Sequence, residues 1–172
     1  LQIALVRMKR ILEIDPEDRV AVVEPGVVNL DLDNAVRRYG LRYAPDPSSQ
    51  RACSIGGNVA ENAGGPHCLA YGVTTNHVLG LEVVLEDGTL VKMGGRAREV
   101  PGYDLRGVFI GSEGTFGIAT KVLCRLLPLP ESIKTLLAIY PDVDTASAAV
   151  SSIIGQGIVP AALEMLDALA IR

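Results

Sequence analysis

"IGGNVAENAGG", residues 55–65, sets two glycine pairs on either side of a stretch, Asn58 to Ala63, that can wind as a short helix. Glycine lets a backbone take positive φ and lets another object approach, because no Cβ stands in the way. Ser54 precedes the first pair and is a good helix N-cap, so the amides of Gly56 and Gly57 are expected to point outward as donors to an anion or a carbonyl. Gly64 and Gly65 are expected to close the same helix. Just upstream, "PDPSS" (residues 45–49) stiffens a loop with two prolines and adds the polar groups of Asp46 and the serines. Some fifty residues downstream, "GSEGTFGI" (residues 111–118) repeats the recipe of small residues plus one carboxylate.

Two readings of these loops stand side by side. In one, the glycines only make turns and close strand packings, the commonest use of glycine pairs. In the other, three loops of this kind lie along a ligand. Neither a GxGxxG fingerprint after a strand nor the Lys-Ser/Thr pair of a phosphate-binding loop is present. By themselves the loops lead to an α/β domain with a ligand cleft.

Length and composition bound the rest. A chain of 172 residues, 48 % apolar, with 18 glycines and 10 prolines in no period, is globular and either α/β or α+β. The formal charge of -4 is made of both signs without a basic stripe, which argues against a nucleic-acid partner. No run reaches the roughly 18 apolar residues of a spanning helix, and the first residues lack a signal-peptide layout. Cys53, Cys68 and Cys124 are three, widely spaced and without a CxxC pair, which argues against a zinc knuckle or a disulfide framework and for a reducing setting, and Cys53 and Cys68 read as small buried residues. Leu1 in place of Met, and the stop inside the apolar "AALEMLDALAIR", read as the ends of a piece of a longer protein.

Hydrophobic patterning places the elements. "RVAVVEPGVVN" (residues 19–29) reads as strand, Pro25-Gly26 turn, strand. "LDLDNAVRRYG" (residues 30–40) reads as a helix capped by Asp31 or Asp33, with Leu32, Ala35, Val36 and Tyr39 on one face and Gly40 as its stop. Val78 to Glu86, an Asp87-Gly88 turn and Thr89 to Met93 make a hairpin, and a further strand runs from Ile118 to Leu127. Beyond Pro128 and Pro130 the pattern becomes strand ("SIKTLLAIY", residues 132–140), helix opened by Asp142 or Asp144 and ended at Gly155, and strand ("VPAALEMLD", residues 159–167). A second domain is therefore expected, with residues 1–130 in the first and 131–172 in the second.

The order "PDPSSQRACSIGGNVAENAGGPHCLAYGVTTNHVLGLEVVLEDGT" (residues 45–89), then "FIGSEGTFGIAT" (residues 109–120), resembles the FAD-binding domain of the flavin-linked 2-hydroxy-acid oxidoreductases, in the vanillyl-alcohol-oxidase superfamily. "GGPHCLAYGVTTNHV" (residues 64–78) looks most like the branch of the glycolate oxidase FAD-linked subunit and the D-lactate dehydrogenases. The resemblance implies an α+β fold of the PCMH type, two α+β subdomains and no Rossmann sheet, followed by the start of an α+β substrate domain. It implies FAD as cofactor, lined by Pro45, Asp46, Pro47, Ser48, Ser54, Gly56, Gly57, Asn58, Glu61, Asn62, Ala63 and Gly64. Tyr71, Gly72 and Val73 continue that lining, and Glu113, Gly117 and Ile118 close on the nucleotide end.

The same resemblance implies oxidation of a small 2-hydroxy acid, glycolate or D-lactate, with electrons passed to an acceptor such as a partner subunit. It implies a cytoplasmic protein, peripheral at the membrane through that partner. An RGxGT-type pyrophosphate loop would precede Leu1, and the family's HxHxGDGN metal motif and catalytic base would lie beyond residue 172, so these residues alone are expected to be inactive. Glu164 and Asp167 are expected to be supports in the substrate domain. His67 and His77, ten apart with no acidic partner at ligand spacing, read as ordinary polar or core residues. Two rivals stay open: a non-catalytic α/β module whose glycine loops only turn the chain, and an FAD oxidase acting on a sugar lactone, an aryl alcohol or an ether lipid.

Overall fold

The computed structural model describes residues 3–97 and 102–171. Leu1 and Arg172, the two chain ends, lie outside the described residues. In chain order the elements are β1 (Ile11–Asp15), β2 (Val20–Val23), α1 (Asn29–Arg37), β3 (Leu41–Arg42), α2 (Ile55–Glu61) and α3 (Cys68–Tyr71). A 3-10 turn (Thr74–His77) leads into β4 (Val78–Val84), β5 (Leu90–Gly94), α4 (Leu105–Phe109), β6 (Ile118–Arg125), β7 (Leu127–Pro128) and α5 (Val143–Gly155).

Five strands form one sheet in the order β1-β2-β6-β4-β5, and every pairing in it is antiparallel. This is an α+β sheet, without the parallel βαβ crossovers of a Rossmann fold. β3 and β7 pair separately as a short two-stranded ribbon. Alternation decides which face is buried: Leu81 and Val83 of β4, Ala119, Val122 and Cys124 of β6, and Ala21 and Val23 of β2 all enter the core. Leu32 and Val36 of α1, one helical turn apart, and Ile55 and Val59 of α2 belong to the same core.

The hairpin forms with Gly88 in its turn, and Gln156, after Gly155, ends a helix that Asp142 caps by accepting from the Thr145 amide at 2.7 Å. Three expectations are corrected. The second strand after Pro25-Gly26 shrinks to a single bridge, Val28 with Ser54, because α1 begins already at Asn29. Asp31 and Asp33 therefore sit inside the helix. Asp33 is buried, accepting from the Tyr43 amide at 3.0 Å and from Arg37 Nε at 2.9 Å, while Tyr39 is exposed.

The third correction concerns residues 132–140 and 159–167, which form no strand among the described residues. Leu136, Leu137 and Ile139 are 94 %, 91 % and 91 % exposed. Apolar, β-branched sequence makes a strand only where a neighbouring edge takes up its amides and carbonyls, and among the described residues no strand pairs with these segments. The buried core ends at Leu126. Accordingly Leu32→Ala, at a fully buried position, is expected to lower unfolding free energy by about 2–5 kcal/mol. Leu136→Ala is expected to stay within about 0.5 kcal/mol of wild type, both read by urea denaturation.

Candidate functional site

The two ends of α2 are bound differently. At its start every amide of the first turn is engaged within the chain. Ile55 N donates to the Val27 carbonyl at 2.8 Å, Gly56 N to the Pro25 carbonyl at 2.7 Å, Gly57 N to Ser54 Oγ at 3.2 Å and Asn58 N to the Ser54 carbonyl at 2.9 Å. The expectation that Gly56 and Gly57 offer amides to an anion is thereby overturned. Gly56 is instead a contact glycine, since a Cβ there would stand 2.6 Å from the Pro25 ring and 3.0 Å from its carbonyl oxygen. Helix bounds shift with it: the glycine pair lies inside α2, and the stop is Asn62, in the left-handed region at φ 50°, in place of Gly64-Gly65.

Around the far end of α2 the predicted segments converge. Gly111 N donates to the Val59 carbonyl at 2.8 Å and Glu113 N to the Ala60 carbonyl at 2.9 Å, so the 111–117 loop hangs on the last turn of the helix. Glu113 itself is held at φ 54°, a conformation a residue with a Cβ rarely adopts and one that clusters at functional loops. Asn62 Oδ1 accepts from Thr75 N at 3.0 Å and from Thr75 Oγ1 at 2.8 Å. The Ala63 carbonyl takes Thr74 N at 3.0 Å and Thr74 Oγ1 at 2.7 Å. Glu61 is exposed on the same turn, Gly64 packs under the Cys68 thiol, and Gly117 and Ile118 lead into β6.

Among the described residues two polar atoms on these bonded segments are buried without a partner, Asn58 Nδ2 on α2 and Ser112 Oγ on the loop that hangs from its last turn. A buried donor left unbonded carries its full desolvation cost, and such atoms in a folded chain call for a reason. Ser54 at the helix start and the Gly56-Gly57 pair take no part in this patch.

A second meeting joins the Pro45–Ser48 loop to the turn after Gly64. Pro45 and Pro47 are buried and Ser48 exposed. Asn29 Nδ2 donates to the Pro45 carbonyl at 2.9 Å, and Asp46 Oδ2 pairs with His67 Nδ1 at 2.5 Å. His67 thus does have an acidic partner, 21 residues upstream, which ligand-spacing criteria do not reach. Tyr71, Gly72 and Val73 follow at the end of α3. Their backbone is tied down by His77 Nε2 on the Tyr71 carbonyl at 2.8 Å and by the Val73 amide donating to Asn76 Oδ1 at 2.9 Å. Asn29, His67, Thr74, Thr75 and Ser112 were not singled out as site residues from the sequence. They are ordinary polar residues until the fold brings their partners to them.

His77 is buried, and burial pushes its imidazole below the ordinary value, a backbone bond to Tyr71 pulling the other way. Cys124 is buried beside Tyr43, and burial pushes its thiol up to about 12, leaving it protonated and inert. Among the described residues no three His, Cys, Asp or Glu side chains converge on a metal-sized site. A cleft of about 370 Å³ between β1 and α1, lined by residues such as Ile14, Ala35 and Tyr39, shares no residue with the segments above.

Against this geometry, the FAD binding domain family matches residues 1–94 and the FAD linked oxidases, C-terminal domain, matches residues 129–172. The chain is 53 % identical over 161 residues to the glycolate oxidase subunit GlcD of Bacillus subtilis, covering 93 % of this chain and 34 % of that protein. To the glycolate oxidase subunit GlcD of Escherichia coli K12 it is 51 % identical over 170 residues, 99 % of this chain and 34 % of the relative. A D-lactate dehydrogenase of Archaeoglobus fulgidus is 37 % identical over 162 residues, 94 % and 36 % of the two chains. The chain spans about a third of the length of these relatives. In fold it is similar to alkyldihydroxyacetonephosphate synthase, with a TM-score of 0.76 at 22 % identity over 91 % of this chain and 28 % of that one.

Two outcomes are expected from the local geometry. Gly56→Ala has no room beside Pro25 and is expected to cost about 1–3 kcal/mol. Gly57→Ala, facing solvent, is expected to stay within about 1 kcal/mol of wild type, compared by thermal unfolding. Burial lowers the folded value of His77 below its ordinary one. Below about 6.5 the unfolded chain therefore takes up the proton first, so stability is full at neutral pH and declines as pH falls through that point toward the folded value. His77→Gln is expected to flatten that limb of a plot of stability against pH between about 7 and 5.

Proposed function

We propose, on the premise that this chain belongs to the FAD-linked oxidase family, that it forms the FAD-holding part of an oxidoreductase acting on a small 2-hydroxy acid, glycolate or D-lactate. FAD is its cofactor. The observation that carries the site is the pair of buried, unpartnered atoms Asn58 Nδ2 and Ser112 Oγ, on two segments bonded to each other at the end of α2. A dinucleotide rich in acceptor oxygens and ring nitrogens fits that need, because it supplies acceptors to both without asking for a side-chain charge.

In this reading Asn58 and Ser112 hold the cofactor by hydrogen bonds. Glu61, Asn62, Ala63 and Gly64 form one backbone wall, the Pro45–Ser48 loop a second, the Tyr71–Val73 turn a third, and Glu113 with Gly117 and Ile118 the nucleotide end. Ser54, Gly56 and Gly57 contribute by seating α2 on the Pro25 turn and by leaving the exposed side of its first turn bare. When bound, FAD supplies the two-electron acceptor for oxidation of the 2-hydroxy acid to the 2-oxo acid. None of the chain's residues is assigned as the base that takes the hydroxyl proton. Substrate class is carried over from the names of the relatives, two of which are called subunits, and that wording supports a partner subunit; the electron-accepting role is the proposal's own. A cytoplasmic place, peripheral to a membrane through that partner, completes the proposal. Among the described residues no helix is long and apolar enough to cross a membrane.

Asn58→Leu separates a cofactor role from a structural one. Removing an unbonded buried donor is expected to leave the melting temperature of the cofactor-free protein unchanged or raised, while FAD affinity falls about tenfold. Affinity is followed by quenching of flavin fluorescence. A variant that melts early and keeps its FAD affinity places Asn58 in the core alone. For the substrate, the flavin absorbance of the full-length protein is expected to bleach on anaerobic addition of glycolate or D-lactate, and an unbleached spectrum with both removes the 2-hydroxy-acid assignment.

A further inference from the structure

The Pro45–Ser48 loop poses a problem of placement. Its two prolines carry no amide hydrogen, so a backbone ladder cannot lace it to a neighbour, and it belongs to neither sheet. Asn29 fixes the carbonyl of Pro45. The Pro47 carbonyl accepts from the Gln50 amide within the loop's own turn at 2.8 Å, and Asp46 reaches across to the next segment, its carboxylate on His67 and its carbonyl pressed so close to Gly65 that no Cβ fits there.

His67 is itself buttressed. Tyr71 lies four residues on, one helical turn along α3, and the two rings are 6.3 Å apart between centroids. The Arg42 guanidinium also stands over the Tyr71 ring, 5.2 Å from its centroid and within cation–π range. Arg42 is four residues before Asp46. Two residues four apart on one segment therefore grip two residues four apart on another, Arg42 on Tyr71 and Asp46 on His67.

Each segment is also anchored without this grip. Asn29 holds the loop, while His77 and Asn76 hold the end of α3. Losing the grip leaves both segments attached and frees only the gap between them. That separation of roles distinguishes a spacer from a pillar of the fold.

We propose that Arg42 and Asp46 clasp Tyr71 and His67, and that this clasp sets the width between the Pro45–Ser48 loop and the Tyr71–Val73 turn, making Asp46 and His67 positioning residues for FAD. The inference rests on the reading that those two segments line the path of the cofactor. Asp46 and His67 act through the placement of backbone, and neither is given a chemical step.

The test uses the full-length protein stripped of cofactor, with FAD affinity read by fluorescence quenching and the melting temperature of the apo form read in parallel. His67→Ala and Asp46→Ala are each expected to weaken FAD binding about tenfold, the order set by loss of a charge-assisted hydrogen bond. The double variant is expected to lose no more than either single one, since both remove the same contact. His67→Asn, which keeps a donor near the Nδ1 position, is expected to recover most of the affinity, with apo melting temperatures within a few degrees throughout. Additive losses in the double variant, no recovery in His67→Asn, or affinity falling only as far as stability falls overturns the clasp. If the wild type binds FAD and the single variants match it, the clasp falls and the FAD reading stands. A wild type that takes up no FAD overturns both.

Discussion

Everything near the candidate site depends on one short helix being held from outside. α2 has seven residues, far fewer than an isolated helix needs to persist in water. Its first-turn amides are taken by Pro25, Val27 and Ser54, and two carbonyls of its last turn are taken by Gly111 and Glu113. Ile55 and Val59, one turn apart, press its apolar side into the core. The helix is thus a peg between the turn that precedes α1 and the loop that precedes β6, and the orientation of both depends on it.

The sheet beneath is two-faced for a reason visible in its pairings. Its inner face is apolar throughout, whereas across its outer face charges of opposite sign stand in register. Glu82 of β4 faces Lys121 of β6 on one side and Lys92 of β5 on the other. Arg10 grips Glu24 at the end of β2, whose carboxyl also feels Lys121. The Arg10 guanidinium holds Glu24, and the Lys121 ammonium holds Glu82, below the usual carboxylate range. Cross-strand pairs of this kind contribute modestly to stability. Their larger effect is on register, because a slip of one residue would set these charges against the apolar core.

Local chemistry was legible where one side chain decides the outcome. Ser54 and Asp142 are caps because their oxygens reach amides three residues on, and Asp87-Gly88 is a turn because glycine takes the positive φ it requires. Longer-range chemistry was not. Asp33 reads as a cap by type, yet Val28 stands at the cap and Asp33 is drawn inside to meet the Tyr43 amide, ten residues away. Residues 132–140 read as a strand by composition, but a strand is a property of two segments, and among the described residues none pairs with them.

The sequence by itself determined the family, through loops whose order and glycine content are too particular to arise from turn-making alone. It determined the caps, the hairpin and the buried stripe of each strand, because these follow from neighbours within a few residues. Tertiary structure alone decided what the glycines are for. Gly56 admits Pro25 and Gly65 admits the carbonyl of Asp46, contacts between residues 31 and 19 positions apart that no local pattern encodes. It alone decided that His67 has a partner and that, among the described residues, Asn58 Nδ2 and Ser112 Oγ lack one, since a hydrogen bond depends on distance in space and the sequence records only distance along the chain.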